Sequence, residues 1–220
     1  MDSLGPELSV ELFPTATWAG RSPSGPPAAD YPGLRPTGSW QLDPRGELHG
    51  LDPAGEGWQN RETGEFVDLS GRRLVLAYGS NPDPNKLLNR TEFFGGESVI
   101  ALRAAVFGWA AAWCDARRQR DGSVVATLVT MPGRVEVHPV LAVTEHQLDA
   151  MDRWEGHPDH YRRTAHEGVV VLESGRPADG VEVYLGTPQH RPALMTAGRY
   201  LLCADMPHAE VDGMVGAPRA

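Results

Sequence analysis

Cysteine is scarce in this chain. Cys114 and Cys203 stand far apart with no CxxC spacing, which argues against a disulfide framework or a structural zinc site and fits a reducing cytoplasm. Lysine is scarcer still: Lys86 is the sole example, and the remaining Lys/Arg positions are all arginine, a codon bias that points to a GC-rich bacterial genome. Long apolar runs are also lacking, as is a charged start leading into an apolar h-region, so the chain reads as soluble, unexported and without a membrane partner. Positive charge is in deficit. A net charge of −9 and a pI near 5.3 argue against nucleic acid and anionic lipid surfaces, which attract basic patches.

What is present supports a real core: 40% of the 220 residues are hydrophobic, enough for one domain plus an extension. The extension is residues 1–70, where Gly and Pro crowd together without a helical period. Its aromatics Phe13, Trp18, Tyr31, Trp40, Trp58 and Phe66 need cover, so part of it is expected to lie on the main domain. Short strands are expected at residues 39–42 and 65–69. Residues 71–220 then form the main domain.

That domain opens on RRLVLAYGSNPDPNKLLNR, residues 72–90. Leu74 to Ala77 suits a buried strand. Tyr78-Gly79-Ser80-Asn81 breaks it, and Pro82 and Pro84 each suit the first turn of a helix. Either Asn81 or Asp83 is placed to be the N-cap. A strand, a tight turn and a helix start make a cup of backbone N–H groups suited to a carboxylate or phosphate, although any strand-to-helix turn shares that outline. Strands are then expected within residues 98–113, at 124–130 and 135–143 parted by Met131-Pro132-Gly133-Arg134, and at 168–172 and 181–185. Residues 117–122 read as a solvated turn, 192–204 as a helix and 211–220 as a loose tail. Many strands and few helices indicate an α+β fold, a mixed sheet or small barrel with helices outside.

The second informative stretch is TEHQLDAMDRWEGHPDHY, residues 144–161. Thr144 and Gln147 have capping-box spacing, and Gly156 is a stop signal. Leu148, Met151 and Trp154 form the inward stripe, with Asp149, Asp152 and Arg153 toward water. Glu155 falls on the inward stripe at the helix end. A carboxylate there needs a partner or a task. Two accounts stand level: a general acid/base with a raised pKa, or an ion pair with Arg90 or Arg163.

Taken together, the YGSN turn after a strand and the Leu148, Asp152, Glu155-Gly156 helix followed by Tyr161-Arg162 resemble the gamma-glutamylcyclotransferase family. The resemblance covers roughly residues 74–207, and Arg90 sits where that family often has an arginine. It implies a small mixed β barrel with flanking helices, and a small-molecule γ-glutamyl substrate held by Tyr78, Gly79, Ser80 and Asn81. Glu155 is then the acid/base. No metal, nucleotide or redox cofactor is required. In the implied reaction the glutamyl α-amine attacks its own γ-amide carbonyl, giving 5-oxoproline and a free amine; a biosynthetic member would remove a γ-glutamyl group from an intermediate. Pro82 stands where the family often has leucine, so the cup lacks one backbone donor. Tyr184 is the aromatic best aligned to face the substrate. His157, Asp159 and His160 read as a polar loop rather than a metal site, Ser80 has no base beside it in any motif, and Cys114 reads as core. The alternative function is a non-catalytic binding or interaction module on the same fold, which would have no need of the Glu155 carboxylate.

Overall fold

In the computed structural model, residues 36–216 are described. Phe13, Trp18, Tyr31 and the end of the expected tail lie outside them. An antiparallel meander comes first: β1 (Ser39–Leu42), β2 (Leu48–Ala54) and β3 (Gly57–Asn60). The strand expected at residues 39–42 is β1. The one expected at 65–69 is reduced to a single bridge between Gln59 and Phe66.

β4 (Arg73–Leu76) leads into helix α1 (Pro84–Leu88) and a 3-10 turn at Thr91–Phe93. Two long strands follow, β5 (Val99–Arg117) and β6 (Val124–Val143). The turn signal Met131-Pro132-Gly133-Arg134 does not divide β6. Pairing jumps from Phe107↔Val135 to Trp109↔Thr130, so the extra residues are absorbed as a bulge opposite Gly108 and the strand continues.

Helix α2 (Glu145–Glu155) begins directly after β6 with both halves of the capping box formed between Thr144 and Gln147. It ends at Gly156, whose φ of 60° is left-handed and where a Cβ would meet His160 Nδ1 at 2.8 Å. β7 (Tyr161–Ala165), β8 (Val169–Leu172) and β9 (Glu182–Gly186) complete the main strands. The helix expected over residues 192–204 is absent. Ala197 and Gly198 both take positive φ and join the short strands β10 (Met195–Thr196) and β11 (Arg199–Tyr200) in a tight hairpin instead. Helix α3 (His208–Asp212) occupies part of the expected tail.

The strands form one mixed sheet in the order β3-β2-β1-β5-β6-β4-β9-β7, with β8 added to β5. β4 and β9 run parallel. Among the described residues no ladder joins β3 to β7, so the sheet curls without closing into a barrel. The few helices cover it. α2 packs Leu148 and Met151 into a core shared with Trp40, Val75, Leu87 and Phe93.

Trp40 is 1% exposed and sits opposite Ala101 of β5, so β1 belongs to the same core as β4 and α2. Trp40→Ala should therefore lower unfolding free energy by about 3–5 kcal/mol, the usual range for emptying a buried aromatic site. Urea melts of the two proteins with overlapping midpoints would contradict this packing.

Candidate functional site

β4 ends inside the sheet, and Ala77 extends its pairing by donating to the Pro139 carbonyl at 2.9 Å. The chain then turns through Tyr78-Gly79-Ser80-Asn81. Of the two candidate caps, Asp83 is used: its carboxylate accepts the Asn85 N–H at 3.0 Å, with Pro84 in the first turn. The Asn81 side chain is thereby released, and its Nδ2 donates to Glu155 Oε1 at 2.7 Å. The two stretches, 74 residues apart in sequence, meet at this bond.

Glu155 opens onto a cavity of about 270 Å³ that Tyr78 to Asn81 and Tyr184 also line. All the residues expected at the site are thus gathered around one space. Glu155 is half-buried at the end of α2, with its carboxylate on the cavity wall. Burial raises its pKa; the Asn81 hydrogen bond and the charges of Arg90, Arg118 and Arg191 pull the other way without overcoming it. Neither expected ion pair forms. Arg163 bonds Asp152 (Nε–Oδ1 3.0 Å) and Glu182 (2.7 Å), and Arg90 lies over the Trp154 ring, 3.8 Å from its centroid, with Phe93 on Trp154 as well (centroids 4.7 Å apart).

The tyrosines are tied to the frame. Tyr78 is buried and its hydroxyl donates to the Tyr184 carbonyl, locking the turn to β9. Tyr184 donates to Asp152 Oδ1 at 2.7 Å, and Tyr161 to the Ala126 carbonyl at 2.9 Å. Asp152, expected to face water, is half-buried by these bonds. Burial works against its ionised form, but the bonds from Arg163 and Tyr184 prevail and hold its pKa below the ordinary value.

Sequence reasoning missed most of the positive charge here. Arg118 and Arg120, read as part of a solvated turn, line the cavity, and so does Arg191, which lies just before the segment read as a helix. Arg118 and Arg120 share Asp121 (N–O 2.6 and 3.5 Å). The run Arg117-Arg118-Gln119-Arg120 in so acidic a chain was the available signal. Because α1 has only five residues, its dipole is small, and the field in the cavity comes from these side chains instead.

Cys114 is fully buried on β5, and burial pushes its thiol up to about 12. His157 accepts the Arg163 N–H at 3.1 Å. Among the described residues, the His157–His160 loop does not bring three metal-ligating groups together. Asp43, Glu47 and His49 do approach one another, but Asp43 caps the N–H groups of its own turn and His49 pairs with Glu62. No helix among the described residues is long and apolar enough to cross a membrane.

A strand, a YGSN turn and a half-buried helix-end glutamate face one cavity, and comparison with known families identifies the class. The chain belongs to the gamma-glutamyl cyclotransferase, AIG2-like family, whose model matches residues 75–202, more than half of the protein. Comparison with curated proteins finds no match. Among solved structures, it is similar to an uncharacterised protein from Homo sapiens (20% identity over 54% of this chain and 68% of that one, TM-score 0.43). It is also similar to a protein titled gamma-glutamyl cyclotransferase (20%, 55% and 68%, TM-score 0.42) and to an AIG2-like protein from Mus musculus (21%, 53% and 78%, TM-score 0.38). Likenesses this distant do not align side chains at the site. Family membership supports a gamma-glutamylcyclotransferase-type activity on a small molecule, at the level of the family.

The Glu155 carboxyl should titrate above the ordinary glutamate value of about 4.3, followed by its side-chain carbon shift against pH. Asn81 donates to the ionised form, so Asn81→Ala should move that midpoint higher still. A midpoint at or below the ordinary value in the parent protein would show that burial does not dominate.

Proposed function

We propose that the protein is a γ-glutamyl cyclotransferase in which Glu155 is the general acid/base and the turn from Tyr78 to Asn81 holds the glutamyl part of the substrate. The observation that carries this reading is the Glu155 carboxylate. It is half-buried without an ion pair, opens onto the cavity, and is aimed by Asn81. In this reading residues 71–220 are the catalytic domain. Residues 1–70 are an extension whose strands β1 to β3 widen the same sheet, and the two free cysteines suit a reducing cytoplasm.

The substrate chain curls in the cavity so that its α-nitrogen reaches its own γ-carbon. Fixing that geometry removes conformational freedom before the reaction and accounts for several kcal/mol of the barrier. Glu155 takes a proton from the α-ammonium, the freed amine forms a bond to the γ-carbon, and the bond from that carbon to the departing nitrogen breaks. Glu155 returns a proton to the departing nitrogen. Over the cycle the α-nitrogen loses two protons and the released amine gains two, giving 5-oxoproline and an ammonium product. Backbone N–H groups of the turn and the cationic wall stabilise charge on the oxygen during attack. A raised pKa makes Glu155 a stronger base than an ordinary carboxylate, which suits this task. A non-catalytic binding module has no need of a carboxylate whose proton affinity burial raises.

Glu155→Gln should lower 5-oxoproline release by about 10²–10⁴-fold, while Glu155→Asp, which keeps the acid but shortens its reach, should retain part of it. The fold should not suffer. Because the folded pKa of Glu155 is raised, its contribution to stability falls as pH rises from the unfolded value through the folded one. At neutral pH the amide removes that penalty, so the melting temperature of Glu155→Gln should match or exceed the parent's. Near-parental turnover in Glu155→Gln would sink the assignment.

A further inference from the structure

The cavity is cationic in a protein of net charge −9. Arg118 and Arg120 are served by Asp121, which leaves Arg90 and Arg191 against the single carboxylate of Glu155. Burial, with Arg191 and His190 nearby, lowers the pKa of His160, so it adds no charge at neutral pH. The site therefore holds a surplus of positive charge even when Glu155 is ionised.

Arg191 carries the sharper information. It is 8% exposed and lines the cavity, yet among the described residues it forms no ion pair and its Nε has no hydrogen-bond partner. One guanidinium nitrogen donates to the neighbouring His190 carbonyl at 2.8 Å, and the group sits 5.9 Å from the Tyr161 ring centroid. A buried arginine so thinly satisfied is costly unless a ligand completes it. Its backbone is firmly seated. The Arg191 N–H donates to Thr187 at 2.8 Å and Cys114 Sγ donates to the Arg191 carbonyl at 3.7 Å. At Gly186 a Cβ would meet that carbonyl at 2.5 Å, so the strand leaves room for nothing but glycine beneath it.

Building on the cyclotransferase reading, we propose that Arg191 binds a second carboxylate, carried by the departing amine. The preferred substrates are then γ-glutamyl α-amino acids or peptides with a net negative charge, not γ-glutamyl amines. In this pose the glutamyl ammonium faces Glu155 and the glutamyl carboxylate faces the YGSN turn, and Arg90 also lines the cavity. A γ-glutamyl amine is net neutral and leaves the arginine surplus uncompensated. A γ-glutamyl amino acid brings one further negative charge to an arginine already held in place, so little ordering is needed on binding.

The test compares γ-glutamyl-alanine with γ-glutamyl-ethylamide, which differs by that carboxylate alone, reading kcat/KM for 5-oxoproline release. The parent protein should prefer the alanine compound by about 10–100-fold, the range for one charge-assisted hydrogen-bonded pair. Arg191→Gln should collapse that ratio toward one, and Arg191→Lys should keep part of it. If Arg191→Gln does not fold, the parent ratio and the lysine variant decide. Equal use of both compounds by the parent, or an undiminished ratio in Arg191→Gln, overturns the role of Arg191 while the cyclotransferase reading stands. Turnover of neither compound overturns both.

Discussion

The pairing of β5 with β6 is the constraint on which everything else hangs. β4 lies antiparallel on the end of β6, with Arg73 opposite Val143 and Leu76 opposite Val140, and only Thr144 separates the end of β6 from the start of α2. The YGSN turn leaves one neighbour of β6 and the Glu155 helix leaves β6 itself. Their meeting is thus set by sheet register and by the length of α2. A one-residue slip of β4 would turn its side chains to the opposite face and separate Asn81 from Glu155. The other end of the hairpin delivers Arg118 and Arg120. Asp115 of β5 donates to the Pro192 carbonyl at 2.8 Å, and Cys114 bridges to Ala193, which brings in Arg191. Distant segments reach one cavity because each is hung on the same two strands.

The electrostatics of that cavity oppose the protein as a whole. Arginine suits such a position, since its planar fork meets carboxylates with directed donors and it stays charged when buried. Trp154 holds Arg90 flat through a contact worth roughly 0.5–2 kcal/mol, and Phe93 steadies Trp154 from the core. Loss of hydration at Glu155 nevertheless outweighs the pull of these cations, so its pKa stays raised. The site keeps a carboxylate that readily accepts a proton within a wall that attracts anions. Those two demands usually conflict, and burial reconciles them here.

The parts of this arrangement visible in the sequence were those with local signatures. The capping box at Thr144, the stop at Gly156, the β1 segment and the inward phase of Glu155 all depend on residues within one or two turns. The YGSN turn was equally plain, though not which of Asn81 and Asp83 would cap. That choice is tertiary: Asn81 is drawn to a residue far along the chain. Misreadings have the same origin. Residues 192–204 carry helix-forming Leu, Ala and Met, but bridges to β5 and the Ala197-Gly198 turn hold them extended. Met131 to Arg134 contain Pro and Gly and read as a turn, yet the long ladder tolerates them as a bulge. Arg118 and Arg120 read as solvated, and Arg191 gave no signal, because nothing near them in sequence shows what they face.

Stability and function pull apart at Glu155 in a way that bears on enzyme versus module. The helix end would be satisfied by an amide, which could accept from Asn81 without the penalty of a buried charge. Asp152, three residues earlier, shows what a structural carboxylate looks like in this fold. It is tied to Arg163 and to the Tyr184 hydroxyl, and its pKa is held down despite burial. Two carboxylates on one helix therefore have opposite proton affinities, set by one having an arginine fork and the other a single amide. The proposed proton transfer calls for the second, and Glu155, at the end of α2, is the one that faces the open cavity.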